Sequence, residues 1–402
     1  MTAKVKTRIE QLRHGNVPEG YKRTKTGIVP DDWTEVSLGD VYTERKEPGN
    51  ENLPLLMVSI HSGVSDGEVD EEDLPKKVKR IEDKTQYKRA ATGDLVFNMM
   101  RAWQGAIGTV RTEGMVSPAY IVAEPNDMVD PMFMDYYMKT NRMVHTIHRQ
   151  SYGVTDFRLR LYWYSFTPIR VALPPVKDQQ KIASILSTQE KVIELKEQLL
   201  VEKQRQKKYL MQKLLTGKKR LLEFNDKWKK CRISDVSLYK TSSQTAGALE
   251  NYTGQNTYPV YDANSICAYV DFYEHSKEYI SIVKDGAGAG RVRQCQAYSS
   301  TIGTIGCIFP KETVHIAFLY YIMCNIDFSK YSSGSTIPHV YFKDYGTEKI
   351  CLPTLEEQSA IAAVLSAADH EIELLQKDIE AEEKKKKSLM QLLLTGIVRV
   401  NA

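Results

Sequence analysis

No apolar stretch in this chain is long enough to cross a bilayer. The longest, Val314–Met323, is about half of the roughly 20 residues that a spanning helix needs. The opening MTAKVKTRIE has basic residues with no apolar run behind them, so no secretory signal is expected. The six cysteines (231, 267, 295, 307, 324, 351) all lie in the second half and form no CxxC pair. That excludes a disulfide scaffold or zinc ribbon and suggests an intracellular protein with reduced, mostly buried thiols. His145 and His148 form HxxH without a flanking acid or a second ligand pair, which reads as a solvated helix face and not a metal site. Charge of one sign is scarcely in excess: 55 basic minus 51 acidic residues leaves +4. Such a balance permits nucleic acid as a partner without demanding it. The chain has no NPPY- or DPPY-type tetrad and no GK[ST] phosphate loop, and its GAGAG at Gly286–Gly290 misses the GxGxxG spacing. The usual signatures of an adenine methyltransferase, an NTPase and a dinucleotide enzyme are therefore missing.

What is present is 402 residues of ordinary globular composition, 42% hydrophobic and 26% charged, enough for two or three domains. A repeat organises them. Leu173–Leu221 (LPPVKDQQKIASILSTQEKVIELKEQLLVEKQRQKKYLMQKLLTGKKRL) aligns without a gap with Leu352–Val400 (LPTLEEQSAIAAVLSAADHEIELLQKDIEAEEKKKKSLMQLLLTGIVRV). Both copies share Leu-Pro at the start, Ile-Ala at 182–183 and 361–362, and Leu-Leu-Thr-Gly at 214–217 and 393–396.

Each copy reads as one long helix. Pro174 and Pro353 stand before it, and Gly217 and Gly396 follow the last apolar pair, where a left-handed cap is wanted. Between these limits Leu186, Ile193, Leu200, Lys207 and Leu214 fall seven apart, as do Leu365, Ile372, Ile379, Lys386 and Leu393. A heptad column, broken by lysine at the same place in both copies, predicts coiled-coil packing of rods about 57 Å long. The acidic half precedes the basic half in both copies: Glu190, Glu194 and Glu197 come before Lys203–Lys208, and Asp369–Glu383 before Lys384–Lys387. Like charges would face each other in a parallel pair, so the helices should run antiparallel, with each dipole complemented.

A fainter repeat precedes each helical copy. Asp31–Val41 (DDWTEVSLGDV) and Asp226–Val236 (DKWKKCRISDV) share Trp33/Trp228 and an Asp-Val pair, and both tryptophans read as core. Between these and the helices lie two stretches, scarcely alike, of short β-branched and aromatic runs broken by Gly, Asn and Asp. They include Leu55–Ile60, Asp94–Met99, Gly105–Val110, Ser117–Val122, Tyr258–Tyr261, Tyr279–Val283 and Thr304–Phe309. The expected fold class is α+β: two mixed α/β domains separated by two long antiparallel coiled-coil helices in a pseudo-two-fold arrangement. The boundaries fall at an N-terminal segment 1–30, a first globule 31–172, a first spacer helix 173–221, a second globule 222–351 and a second helix 352–402. Two unlike readers on a common frame suit a two-part target whose halves are related by rotation, as in duplex DNA.

On these features the chain resembles the specificity (S) subunits of type I restriction–modification systems over essentially its full length. The twice-occurring LPP…Q..I...L…LMQ.LLTG block is similar to that family's conserved regions, and Gly20–Trp33 (GYKRTKTGIVPDDW) to the entry to its first target recognition domain. Gly93–Val122 looks like one class of recognition domain. Val283–Val292 (VKDGAGAGRV) with Ser333–Tyr345 (SGSTIPHVYFKDY) looks like a second class. The resemblance implies a non-catalytic, cytoplasmic subunit of a bacterium or archaeon, binding double-stranded DNA at a bipartite asymmetric site. It implies two modification subunits with S-adenosylmethionine-dependent adenine-N6 methyltransferase activity, and up to two restriction subunits using ATP and Mg. No cofactor would be bound by this chain. Competing readings are a specificity subunit of a type IIB-like methylase–nuclease assembly, a catalytic enzyme with its site between the globules, and a coiled-coil scaffold.

For DNA contact the candidates are loops that mix cations with amides and aromatics, because phosphate contacts position and base-edge contacts specify. In the first globule these are Lys76, Lys77, Lys79 and Arg80, then Arg101, Trp103 and Gln104, then Ser151, Tyr152, Arg158 and Arg160. In the second they are Tyr261, Asp262 and Asn264, then Lys284, Arg291 and Arg293, then Ser333, Ser335, His339, Tyr341 and Lys343. The glycine turn at 286–290 is expected to lift Lys284, Arg291 and Arg293 toward a phosphate. Helix pairing is assigned to Leu186, Ile193, Leu200 and Leu214 with Leu365, Ile372, Ile379 and Leu393.

Overall fold

The computed structural model describes residues 3–60, 63–65, 83–154, 158–245, 247, 249, 257–334 and 337–400. Each helical repeat is one continuous helix of 39 residues, Val176–Leu214 and Leu355–Leu393. Both begin two residues after the proline of Leu-Pro and stop three short of the glycine, and Gly217 and Gly396 take the left-handed φ of +69° and +70° expected of a cap.

The chain folds as two units, one of residues 1–195 with 379–402 and the other of residues 196–378. The division runs through the middle of both long helices and not at their ends. Each unit therefore holds the front of one helix and the back of the other, and within each the two segments run antiparallel. In the second unit Lys196 Nζ meets Asp378 at 2.8 Å, Lys203 meets Glu371 at 2.7 Å, and Lys207 meets Asp369. The residue number falls on one helix as it rises on the other. In the first unit Lys386 Nζ reaches Glu190 at 2.5 Å, and Gln189 Nε2 donates to Glu382 at 2.7 Å. Exposed pairs of this kind contribute well under ~1 kcal/mol each, so they decide orientation, whereas apolar packing holds the pair.

The heptad column divides by environment. Leu186 and Leu393 are buried in the first globule's core beside Val36, Leu38 and Phe166. Leu214 and Leu365 are buried in the second with Ile233, Phe318 and Tyr345. Ile193, Leu200 and Ile372 are half-buried and Ile379 is buried, between those ends.

The two globules, unlike in sequence, share the strand order of their main sheet. A four-stranded antiparallel sheet in the first is ordered Tyr42–Arg45, Tyr120–Pro125, Leu95–Asn98, Ile107–Thr109. In the second the order is Ser237–Thr241, Ile305–Pro310, Tyr279–Val283, Val292–Cys295, again all antiparallel. A two-stranded ribbon leads into each long helix: Thr34–Ser37 with Arg170–Leu173, and Lys229–Arg232 with Lys349–Leu352. A helix covers each sheet, Pro131–Met138 and Ile316–Cys324. The repeated Asp-Val pair now has a purpose. Asp40 accepts from the Ser37 amide at 2.7 Å and Asp235 from the Arg232 amide at 2.8 Å, capping matching one-turn helices, while Val41 and Val236 enter the core.

Several expectations change. The run Leu55–Ile60 pairs as a strand only at Val58–Ser59. The N-terminal segment contains a helix, Ala3–Arg13, and docks on the end of the second long helix: Arg8 donates to the Ile397 carbonyl at 2.7 Å and Tyr21 to that of Gly396 at 2.6 Å. Trp33 is core, but Trp228 is half-buried and donates to Glu357 at 3.0 Å, beside a bidentate Arg220. Of the cysteines only Cys295 and Cys307 are buried. The thiols were expected inside because cysteine behaves as a small apolar residue; the other four lie on edge strands, ribbons and a helix end, where the sheet leaves one side open.

Candidate nucleic-acid interface

In the first globule the strand Leu95–Asn98 leaves the sheet into a tight turn. The Asn98 side chain accepts from the Met100 amide at 3.0 Å, and Gly105, at φ +105°, closes the turn back into the next strand. The turn presents Arg101 and Gln104 to solvent. Trp103 is half-buried, its indole N–H donating to the Met100 carbonyl at 3.0 Å and its ring 5.5 Å from that of His148. The 151–164 segment lies alongside, because the Leu161 amide donates to the Met99 carbonyl at 2.9 Å. Tyr152 and Arg160 exchange two backbone hydrogen bonds of 2.9 Å that pinch this segment into a loop. Gly153 sits at the pinch, where a Cβ would lie 2.4 Å from the Arg158 carbonyl oxygen. Tyr152, Arg158 and Arg160 are exposed. Ser151 points inward: it is buried, and its hydroxyl donates to the Ile147 carbonyl at 2.8 Å, ending the helix Asn141–Gln150. Its position is that of a structural cap and not of a surface donor. Lys76, Lys77, Lys79 and Arg80 lie outside the described residues.

Sequence reasoning stopped at Arg160 and missed the next residues. Tyr162 and Tyr164 stack at 5.3 Å with rings 7° from parallel, and Tyr152 stands 6.5 Å from Tyr164. Tyr164 is 66% exposed. The signal was the aromatic run Tyr-Trp-Tyr at 162–164, which crosses into the one-turn helix Trp163–Phe166, with Trp163 packed on the core. A row of aromatic faces flanked by arginines can stack on bases or sugars and hold phosphates at the same time.

In the second globule the structure brings the separate motifs together. Asp262 accepts through Oδ1 from the amides of Asn264 and Ser265, both at 2.7 Å, so it builds a turn. Arg291 is exposed and Arg293 half-buried beside the glycine loop. They fold onto that turn, Arg291 donating to the Ala263 carbonyl at 3.1 Å and to Asn264 Oδ1 at 3.3 Å, and Arg293 to the Asn264 carbonyl. The arginine pair rests beside Tyr261, over whose ring the Arg293 guanidinium sits at 5.8 Å. The unsatisfied carbonyls of the turn are the nearest acceptors, and each guanidinium keeps further N–H donors facing outward. Burial raises the Tyr261 phenol above its ordinary pKa, so it stays protonated.

The glycine loop instead abuts the 333–343 segment. Gly286 N donates to the Pro338 carbonyl at 3.0 Å, Val340 N to the Lys284 carbonyl at 2.9 Å, and His339 Nδ1 lies 2.7 Å from Asp285 Oδ1. Gly290, at φ +89°, comes so near Phe328 that a Cβ would sit 2.6 Å from its Cβ. Lys284 is half-buried, whereas Ser333, Tyr341 and Lys343 are exposed, with Lys343 Nζ 5.5 Å over the Tyr341 ring and His339 stacked against it at 6.1 Å. Ser335 lies outside the described residues. No three His, Cys, Asp or Glu side chains among the described residues gather to hold a metal.

Two globules with the same main-sheet order but different surface loops are each built onto the same helical repeat. Residues 225–383 match the family model described as type I restriction modification DNA specificity domain. The type I restriction enzyme MjaVIII specificity subunit of Methanocaldococcus jannaschii is 25% identical, with 95% of this chain and 96% of that protein aligned. The crystal structure of a type I restriction–modification system S subunit from M. genitalium superposes with a TM-score of 0.58 at 13% identity, covering 92% of this chain and 97% of that one. The HsdS subunit from Thermoanaerobacter tengcongensis gives 0.50 at 16%, over 92% and 98%. Over nearly its full length the chain is thus similar to type I restriction–modification specificity subunits. No helix among the described residues is long and apolar enough to cross a membrane.

Proposed function

We propose that this chain is the non-catalytic subunit that reads a bipartite, asymmetric sequence in double-stranded DNA, one half per globule, in the cytoplasm of its host. It would hold two modification subunits that supply S-adenosylmethionine-dependent adenine-N6 methylation, and up to two restriction subunits that use ATP and Mg. One observation carries the reading. The two globules keep the same main-sheet order and the same mounting on the helix repeat, while their candidate contact loops differ in sequence. Constant frame and variable loops are what a protein needs when geometry is fixed and the sequence read is not. The aromatic row at Tyr152–Tyr164 with Arg101 and Arg160 serves one half, and Lys284, the Arg291–Arg293 pair, Tyr341 and Lys343 serve the other.

The long helices also keep apolar side chains in solvent, which supports protein docking along them. Ile185 and Leu195 (52% exposed) lie in the first unit, and Leu199, Val201 (65%), Val364 and Leu374 in the second. The test is adenine-methylation mapping in cells expressing this chain with its adjacent methyltransferase, against cells lacking it. A split motif with a fixed gap, present only with this chain, is expected. A soluble complex that methylates a continuous motif, or the same motif without this chain, would overturn the reading.

A further inference from the structure

The lysine that interrupts each heptad column has a defined partner. In the second unit Lys207, from the first long helix, pairs with Oδ1 of Asp369 on the second, and Tyr321 of the globule donates to the other oxygen, Oδ2, at 2.8 Å. The first unit repeats this with the helices exchanged. Lys386 Nζ meets Glu190 Oε1 at 2.5 Å, and Tyr136 donates to Glu190 Oε2 at 2.6 Å. Lys207 and Lys386 are equivalent in the repeat, as are Glu190 and Asp369. The tyrosines are not part of it. They come from the covering helices of two globules that share almost no sequence, yet both are buried and both aim at the same carboxylate. The carboxylate thus joins three bodies: its own helix, the opposing helix and the globule.

Apolar seams tolerate slippage by a turn or a heptad, because one leucine packs much like another. A single charged or polar residue in the seam costs stability but demands its partner opposite, and so fixes register. The tyrosine adds a second constraint, because its hydroxyl reaches the free oxygen only at one rotation of the covering helix about the rod. We infer that the two lysine–carboxylate–tyrosine triads are positioning devices that set both the register of the helix pair and the seating of each recognition globule on it, and thereby the length of gap read between half-sites. The consequence for the gap rests on the function proposed above.

The test replaces a charge pair by apolar side chains of similar size, which removes register information without leaving an orphan charge. Lys207→Met with Asp369→Leu leaves the Tyr321 hydroxyl without its acceptor, so it should unfold in urea somewhat more easily than the wild type. In methylation mapping it should leave both half-site sequences unchanged while methylation at sites with a gap one base pair longer or shorter rises roughly tenfold, the scale of a coupled pair's interaction. Lys386→Met with Glu190→Leu should do the same, and Tyr321→Phe should give a smaller rise of the same kind. A merely structural role would move the urea midpoint and not the gap. Unchanged gap fidelity in both double variants, or altered half-site bases, overturns the inference. If the wild type itself reads no split motif, the proposed function falls and the gap consequence with it. The seating role is then decided by amide exchange of Ile316–Cys324 in Tyr321→Phe: exchange as slow as wild type overturns it, and faster exchange sustains it.

Discussion

Replacing Gln358 by leucine should destabilise the second unit by about 3–4.5 kcal/mol. The glutamine is fully buried at the start of the second long helix. Its Nε2 donates to the carbonyls of Pro353 at 3.0 Å and Thr313 at 3.1 Å, and its Oε1 accepts from the His315 amide at 2.8 Å, where the covering helix begins. Gln179 makes the equivalent set in the first unit, to Pro174 at 2.9 Å, Met128 at 3.0 Å and the Asp130 amide at 2.8 Å. Leucine fills nearly the same volume, so no large cavity opens, but two carbonyls and an amide lose their partner in a site that water does not enter readily. Three lost hydrogen bonds at about 0.5–1.5 kcal/mol each give about 1.5–4.5 kcal/mol, and a group that stays dry without a partner holds the loss at the upper end. The chain forms two units, so a single melting temperature would mix them. Amide exchange followed by mass spectrometry resolves them. Protection of residues 315–319 should fall by at least about a hundredfold in Gln358→Leu, while that of 130–138 is unchanged, and Gln179→Leu should show the converse. Gln358→Glu sharpens the argument. Its carboxylate would face two carbonyl oxygens, so the folded protein should hold it protonated, with a pKa above the unfolded value of about 4.3. Folding then binds a proton, and the variant's stability must fall as pH rises from 5 to 7. Protection in Gln358→Leu within about 0.5 kcal/mol of wild type, or a Gln358→Glu variant insensitive to pH over this range, would refute the reasoning.

The two helix-capping glycines should differ. Gly217→Ala meets Trp228 at an acceptable 3.4 Å and should cost about 1–2 kcal/mol for its left-handed φ alone. Gly396→Ala would place Cβ 2.6 Å from the rigid ring of Pro30 and 3.1 Å from Trp33, so urea unfolding of the first unit should show a clearly larger loss. Burial pushes the Cys307 thiol up to about 12 and raises Cys295 as well, so iodoacetamide at pH 8 should label exposed Cys267 long before either of them, and equal native labelling would contradict their burial. Burial raises the Glu190 carboxyl, but hydrogen bonds from Lys386 and Tyr136 outweigh it and leave the pKa below the ordinary carboxylate value. A group depressed in the folded state contributes stability above its unfolded pKa and loses it as pH falls through the folded one. Protection factors near Glu190, taken against the intrinsic exchange rate at each pH, should therefore fall below about pH 4.3 in the wild type and not in Glu190→Gln.

The sequence by itself determined the two long helices, where they stop and which way they pair. Those features are local or periodic: proline before, glycine after, apolar residues every seven, and acidic halves that must meet basic ones. It also showed that two unlike regions hang on a repeated frame, and those residues carried the resemblance to type I specificity subunits. Tertiary structure alone decided that the unlike regions share a sheet order, because strands 95–98 and 120–125, or 279–283 and 305–310, pair across loops of unrelated sequence and inward positions accept interchangeable apolar residues. It turned Ser151, Asp262 and the Arg291–Arg293 pair toward their own backbone, since the nearest unsatisfied carbonyl or amide is invisible in the linear chain. It set Tyr162 and Tyr164 in an aromatic row. The lysine in the heptad column, legible from the start as an interruption, acquired its meaning only when Asp369 and Tyr321 arrived from distant parts of the chain to meet it.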